Sequence, residues 1–469
     1  MKIFSTFKRF LFLLLFMSMI SSCKKDFSSD NYTAYFGGEI ENPINRYVLF
    51  CKDNSVIDTI KLNDDNTFFK KFDSLAPGLY TFKHDPEYQY IYFEKNDSLK
   101  VHIDTKDFDE SIIFCGRGDE KNNFLMDLYL RNEKDKNNMF EVFDYNLDKF
   151  NTTINKTNLE NEKFYKTKKE EIKWSSGFDI YAKALYEFPN YTKKEIYPVI
   201  HKMRTGEDVI EKLPANYYEY RKTINFSNES LTEFTPFIIY LNHMLNNMAT
   251  INYHNHFSTL DLDLKTNINK MNIADTLIKN EKVKNLVLNT IAFQYLSEDQ
   301  NIINNKEFLE IYHKYSTDKS KKNEILKIGN AIQLLTVGKP LPSVELVDLN
   351  GATISSNLLI KKNTVFFFWS EKLNSHFLAS HKKVLEFQKL FPNYDFIAIN
   401  LDQSETVFKE ILSKYNFNNI HEYHCKDFED IKAKWAITKV HRTIIVNEDK
   451  TIKNGFTNMF DVNFVNELK

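Results

Sequence analysis

The hydrophobic period of this chain changes twice along its length, and each change dictates a different architecture. From Tyr32 to about Thr105, apolar and polar residues alternate in short segments: YFGGEI, RYVLFCK, SVIDTIKL, TFFKKF, APGLYTFKH, YQYIYFE and KVHID. Alternation puts every second side chain on one face, so each segment predicts a strand half-buried in a sheet. Pro77-Gly78 and Asp64-Asp65-Asn66 supply the turns, and residues 31–110 are expected to form an antiparallel β-sandwich. From about Glu120 to Leu335 the apolar residues recur three and four positions apart. NNFLMDLYLRNEKD, KEEIKWSSGFDIYAKALYEF, EFTPFIIYLNHMLNNMATI and EKVKNLVLNTIAFQYL carry this pattern, which predicts a helical region over 111–336. After the linker signature Gly338-Lys339-Pro340-Leu341-Pro342 the two periods alternate. Strands are expected from Thr364 to Trp369, Tyr394 to Asn400 and Thr443 to Val446. Helices are expected from about Ser375 to Leu390, Glu405 to Tyr415, Phe428 to Trp435 and after Asp461. Such alternation implies a mixed α/β sheet over 337–469, and the whole reads as a multidomain α+β chain.

Charge points to no polyionic partner. Lys plus Arg number 62 against 64 Asp plus Glu, so neither a nucleic-acid partner nor an acidic substrate is suggested electrostatically. Lys-rich and Glu-rich runs such as KTKKEEIK read as solvated helix faces with i, i+4 pairs. No phosphate-cradling Gly-rich loop, nucleophile elbow or HExxH occurs, and no cofactor is expected.

The N-terminus reads as an export signal. Lys2, Lys8 and Arg9 precede the apolar stretch FLFLLLFMSMI, which has h-region length and is too short to span a bilayer comfortably. Ile20-Ser21-Ser22-Cys23 resembles the lipobox of bacterial lipoproteins, with Ile20 where leucine is usual. The resemblance implies a signal peptide over 1–22, lipid attachment at Cys23 and a polar tether over 23–30. It also implies a place in the cell envelope, at the periplasmic face or the outer-membrane surface.

The last third resembles the envelope thioredoxin-like proteins of the TlpA and ResA type. GKPLPSVELVDLNGATISSNLL followed by KKNTVFFFWS matches the lead and hairpin before the strand that delivers their active-site motif, and VHRTIIVNEDKTI matches their later cis-proline segment. The β-region is similar to the domain that precedes such modules in Bacteroidetes lipoproteins. FDESIIFCGRGDEKNNFL is similar to the segment leading into their helical middle.

Departures from that family decide the expected function. In working members a tryptophan is followed four residues later by Cys-x-x-Cys, because an attacking thiolate and a resolving thiol must share one site. Counted from Trp369, those cysteine positions fall on Leu373 and His376. A glutamate position three residues further on holds Ala379, the proline after it is His381, and the cis-proline position falls on His441. No cysteine lies between Cys115 and Cys425, so the dithiol is absent in any register. The resemblance implies that Trp369, His376 and His441 surround the former substrate groove. The histidines there read either as drift after loss of catalysis or as a pH-sensitive or metal-assisted binding groove.

Other constellations have bland and sharp readings. Cys425, beside His424, is a small packed residue or a nucleophile. Cys51 and Cys115 stand on separate strands and pair only if geometry permits. His254 and His256, with His243 nearby, lack a carboxylate or cysteine at convincing spacing, so no metal site is expected. Arg117-Gly118-Asp119 reads as a turn. The expected role is a membrane-anchored, non-redox binding or assembly module with an envelope protein or peptide as partner. A thiol-disulfide oxidoreductase or peroxidase-like enzyme acting through Cys425 is one alternative, and a surface-exposed nutrient or secretion component is another.

Overall fold

The computed structural model describes residues 32–469 apart from Asn54, 252–258, 299–300, Gln403, Asn416, Asn418, Thr438 and Val462. Cys23, His254 and His256 therefore lie outside the described residues. The chain divides into two compact units between Pro214 and Ala215, so the helical residues are shared between them.

The first unit begins with eight strands: β1 (Ala34–Glu41), β2 (Tyr47–Lys52), β3 (Ser55–Lys61), β4 (Thr67–Phe72), β5 (Gly78–His84), β6 (Glu87–Phe93), β7 (Ser98–Asp104) and β8 (Ile113–Arg117). They form two four-stranded sheets, in the orders β4-β1-β7-β8 and β3-β2-β5-β6. In β2, β5 and β7 every second residue turns inward, and Phe36, Phe50, Phe82, Phe93 and Phe114 fill one aromatic core. Phe36 of one sheet lies 5.6 Å from Phe50 and 5.7 Å from Phe82 of the other, which is sheet-on-sheet packing. The pairing departs from the antiparallel expectation at one place, since β1 and β7 run parallel. A long excursion through the second sheet separates them, so no hairpin dictates their relative direction. Gly38 on β1 makes that pairing possible, because a Cβ there would stand 2.0 Å from the Val101 carbonyl oxygen.

Both sheets end in an edge that α1 (Asp119–Asn137) covers. Asn122 accepts from the Tyr92 amide at 2.7 Å and donates to the Tyr92 carbonyl at 3.0 Å, on the β6 edge. Asn123 does the same for Phe114 on the β8 edge, at 2.8 Å in both directions. Two consecutive asparagines thus satisfy the backbone N–H and C=O of one residue on each edge. Farther on, α2 (Leu147–Ile172) and α3 (Ser176–Thr205) interrupt a segment whose periodicity predicts one continuous helix. Lys173 adopts left-handed φ of 55°, and Ser175 caps the next helix by accepting from the Phe178 amide at 3.2 Å. Local capping chemistry overrides the period at this point.

His84 at the end of β5 is buried and locked as a neutral imidazole. Its Nε2 accepts from the amides of Ile44 (3.0 Å) and Asn45 (3.3 Å), which leaves Nδ1 to donate to the Tyr47 carbonyl at 3.0 Å. Burial holds its pKa below the usual histidine value. With the folded value below the unfolded one, the unfolded chain binds the proton first on acidification. The stabilisation is therefore complete above about pH 6.5, the unfolded value, and is lost as the pH falls below it towards the folded value. Hydrogen exchange at the Ile44 and Asn45 amides, corrected for intrinsic rate, is expected to lose protection as the pH falls below about 6.5. A pH-independent protection factor at both amides would contradict this account.

The second unit opens with five helices: α4 (Thr235–Ile251), α5 (Thr259–Leu277), α6 (Glu281–Glu298), α7 (Ile302–Tyr315) and α8 (Lys319–Leu334). It continues with β9 (Glu345–Val347), β10 (Thr353–Ser355), β11 (Asn363–Trp369), α9 (Asn374–Leu390), β12 (Tyr394–Asn400), α10 (Glu405–Lys414) and β13 (His421–Cys425). The remaining elements are α11 (Phe428–Trp435), β14 (Thr443–Val446), β15 (Ile452–Thr457) and α12 (Phe464–Leu468). Seven strands form one sheet in the order β10-β9-β13-β12-β11-β14-β15. The central strands β11, β12 and β13 are parallel, and β14 runs antiparallel to β11. As buried central strands, β11 and β12 read as continuous apolar runs, VFFFW and FIAI. Phe377, Val384 and Phe387 of α9 pack with Phe396 and Phe464 in the core on one side of the sheet.

Candidate functional site

The turn after β11, where the resemblance expects a redox motif, is tied down by the neighbouring strand end. β11 ends at Trp369, Ser370 accepts from the Lys372 amide at 3.3 Å, and a short 3-10 turn over Glu371–Leu373 leads into α9. Asp402, just beyond β12, accepts from the Ser370 hydroxyl, from the Glu371 amide at 2.8 Å and from Asn400 Nδ2 at 2.7 Å. One carboxylate with three donors locks the turn to the end of the neighbouring strand. On the turn itself, the Leu373 side chain is 47% exposed and offers no chemistry.

His376 and His441, expected to face one another, are near enough for their charges to interact. His376 is half-buried on the first turn of α9, and its pKa is lowered by burial first, then by neighbouring His441 and His381. Its Nε2 is enclosed and has no hydrogen-bond partner, with the Phe460 ring 5.9 Å from its own. His441 is exposed, and burial of part of its ring together with Lys439 lowers its pKa as well. Both imidazoles are thus neutral near pH 7.

Trp369, the third expected groove residue, is not in the groove. Its side chain is wholly buried, and the indole Nε1 donates to Glu422 Oε2 at 3.0 Å. The other oxygen of Glu422 lies 2.8 Å from His381 Nε2, while His381 Nδ1 donates to the Phe377 carbonyl at 2.7 Å. Because Nδ1 already donates, the contact between Nε2 and Oε1 holds one shared proton. Both oxygens of the carboxyl and both ring nitrogens are therefore satisfied in a sealed Trp369-Glu422-His381 network. Glu422 lies on β13, a strand that alternation of apolar residues does not announce, since HEYHC is largely polar. Its two buried polar side chains, Glu422 and His424, each have a partner. His424 Nδ1 meets Asn400 Oδ1 at 2.9 Å. Sequence reasoning noted His381 only as a replaced proline and missed Glu422, Asn400 and Asp402. The readable signal was His381 on the apolar face of α9, three residues before Val384 and four after Phe377.

Cys425 has the wrong surroundings for a nucleophile. It is 3% exposed, and burial pushes its thiol up to about 12, with Asp402 adding to the effect. Neighbouring His424 is held below the usual histidine value by burial, so no imidazolium stands beside the thiol. Cys51 is buried on β2 and Cys115 exposed on β8, in different sheets, and both thiols are free. Gly118 of the Arg117-Gly118-Asp119 turn, with φ of 98°, is the residue before α1. Among the described residues, no three His, Cys, Asp or Glu side chains converge as metal ligands do.

This strand order and the helix that follows β11 define a thioredoxin-like domain, and residues 361–452 match the family model described as Thioredoxin-like. Solved structures similar to the C-terminal region include the thioredoxin domain of a thiol-disulfide oxidoreductase from Bacteroides vulgatus. It is 19% identical, covering 25% of this chain and 86% of that one, with a TM-score of 0.23. A thiol:disulfide interchange protein from Bacteroides sp. is 18% identical, covering 25% of this chain and 80% of that one, with a TM-score of 0.23. No curated protein matches the chain.

Proposed function

We propose that this chain is a lipid-anchored envelope protein whose thioredoxin-like domain binds a protein or peptide partner and carries out no thiol exchange. The observation that carries the reading is the 3-10 turn over Glu371–Leu373 with Leu373 and His376 at the two thiol positions, pinned by Asp402. Exchange requires an attacking thiolate and a resolving thiol at one place, and the nearest cysteine in sequence, Cys425, is buried and protonated. The groove between the turn and the His441 loop supports a binding role, since a thioredoxin-like fold presents ligands at this edge whether or not chemistry follows. Among the described residues no helix is long and apolar enough to cross a membrane, so the proposed attachment rests on Cys23 and its preceding signal. A diacylated cysteine anchors stably where one chain would not. Cys23→Ala is expected to move the chain from the membrane fraction to the soluble fraction, and retention in the membrane would overturn the anchor. An insulin-reduction assay tests the redox part, with no turnover expected.

A further inference from the structure

The outward side of the sheet β4-β1-β7-β8 is largely exposed, and its two ends differ in charge. At the end where β1 starts, the strand register sets Lys71 beside Tyr35, Arg117 beside Ser98, and Phe69 and Lys100 on either side of Gly37. At the other end it sets Glu41 beside Asp104, and Glu39 beside His102. Their strand neighbours Phe36, Phe68, Leu99 and Phe114 are buried in the core, so alternation turns these side chains outward. Phe69 is 59% exposed and stacks on Tyr35 with the ring centroids 5.9 Å apart, and Lys71, Lys100 and Arg117 are exposed too. The charges of the whole chain nearly cancel, yet on this face three cations gather at one end and three carboxylates at the other.

The cationic end is the one from which the tether departs. The Tyr32 carbonyl accepts from the Leu75 amide at 2.8 Å, just beyond the end of β4, which fixes the start of the described chain beside Tyr35 and Lys71. Nine residues, 23–31, separate that point from the proposed acyl chains, and fully extended they reach only about 30 Å. We propose that the cationic half of this face, Lys71, Lys100 and Arg117 around Phe69 and Tyr35, rests on the anionic surface of the bilayer that holds the anchor. The acyl chains retain the protein, and the face orients it. Each Lys or Arg at an anionic lipid surface strengthens the contact about fivefold, and exposed aromatic rings suit the headgroup boundary. A short tether raises the local concentration, so even a weak contact is populated. The carboxylates at the far end are repelled and keep that end away from the lipid. Of the acidic residues near the cationic end, Asp73 is paired with Lys71 at 2.7 Å, while Asp119 and Glu120 stand on α1 and not on the sheet.

The inference rests on the proposed anchor, so its test supplies the attachment by other means. The chain from residue 23, which keeps every described residue, carries Cys23→Ala and an N-terminal histidine tag that binds nickel-chelating lipid in vesicles. Cys115 is the reporter: it is exposed and free, and pairs in register with Lys100, whereas Cys51 and Cys425 are buried. Its alkylation by a maleimide joined to a bulky polyethylene glycol is expected to be at least about tenfold slower on phosphatidylglycerol-containing vesicles than in solution. On vesicles of phosphatidylcholine alone, and with Lys71→Glu plus Lys100→Glu, most of that protection should vanish, each rate being divided by that of the same variant in solution. A thiol placed at the acidic end, Asp64→Cys in a Cys115→Ser chain, should react equally in both settings. Cys115 reacting as fast on anionic vesicles as in solution overturns the contact. So does protection no greater than that of Asp64→Cys, or protection that survives charge reversal, which would assign the cover to crowding or to a second copy. Retention of Cys23→Ala in the cell's membrane fraction would overturn the natural anchor and leave the vesicle result standing, so the two failures are read separately.

Discussion

Replacing Glu422 by Ala is expected to cost about 3–5 kcal/mol of the stability of the second unit, the usual penalty for removing one partner of a buried, hydrogen-bonded ionisable pair. The loss has two sources. Trp369 Nε1 and His381 Nε2 would each lose their partner, at 3.0 and 2.8 Å, in a site that admits no water from the surface. The side chain also bridges β13 to the end of β11 and to α9, so three elements lose a common point. Glu422→Gln keeps an acceptor for the indole and is expected to cost less. A combined His381→Leu and Glu422→Leu change should recover much of the loss, since apolar replacement of both partners removes the orphaned charge. Urea unfolding of the full chain in a Trp174→Phe background, which leaves Trp369 and Trp435 as the fluorescent reporters, measures these differences. A loss below about 1 kcal/mol for Glu422→Ala would mean that the network contributes no more than an exposed pair.

The second large effect concerns the groove. Restoring the thiols with Leu373→Cys and His376→Cys is expected to yield a disulfide that forms, yet exchanges at least about tenfold more slowly than a thioredoxin control. The new thiols would sit at the start of α9, where the helix N-terminus favours thiolate. Three features work against turnover. Asp402 holds the turn through Ser370 and Glu371, Ala379 stands where the proposed resemblance puts a glutamate, and His441 where it puts the cis-proline. Thiol titration with and without reductant gives the first quantity, and insulin reduction gives the second. Exchange at the rate of the control would show that the surrounding residues have kept full redox competence.

Much of this architecture could be read from the order of residues because burial leaves a period. VFFFW and FIAI announced central strands, and the alternation in the first hundred residues announced the sandwich. What the period could not supply was direction and partnership. The parallel pairing of β1 with β7 follows from the course of the chain between them, and it is permitted by Gly38, which has no periodic signature. The break between α2 and α3 came from Lys173 and Ser175, whose capping outweighs a continuous apolar face. At the site, the absence of cysteines between Cys115 and Cys425 was plain in the sequence. Trp369 was misplaced because an aromatic at a strand end looks the same whether it faces a groove or a core. Its burial depends on Glu422, 53 residues away, and no local pattern encodes that pair.

The claim that this domain binds without exchanging thiols is tested most directly by insulin reduction with the unmodified full chain at neutral pH, beside a Cys425→Ser variant. No turnover above the uncatalysed rate is expected from either protein, because no cysteine lies between Cys115 and Cys425 and burial keeps Cys425 protonated. Turnover by the unmodified chain would contradict the account, and its loss in Cys425→Ser would assign the activity to a one-cysteine enzyme.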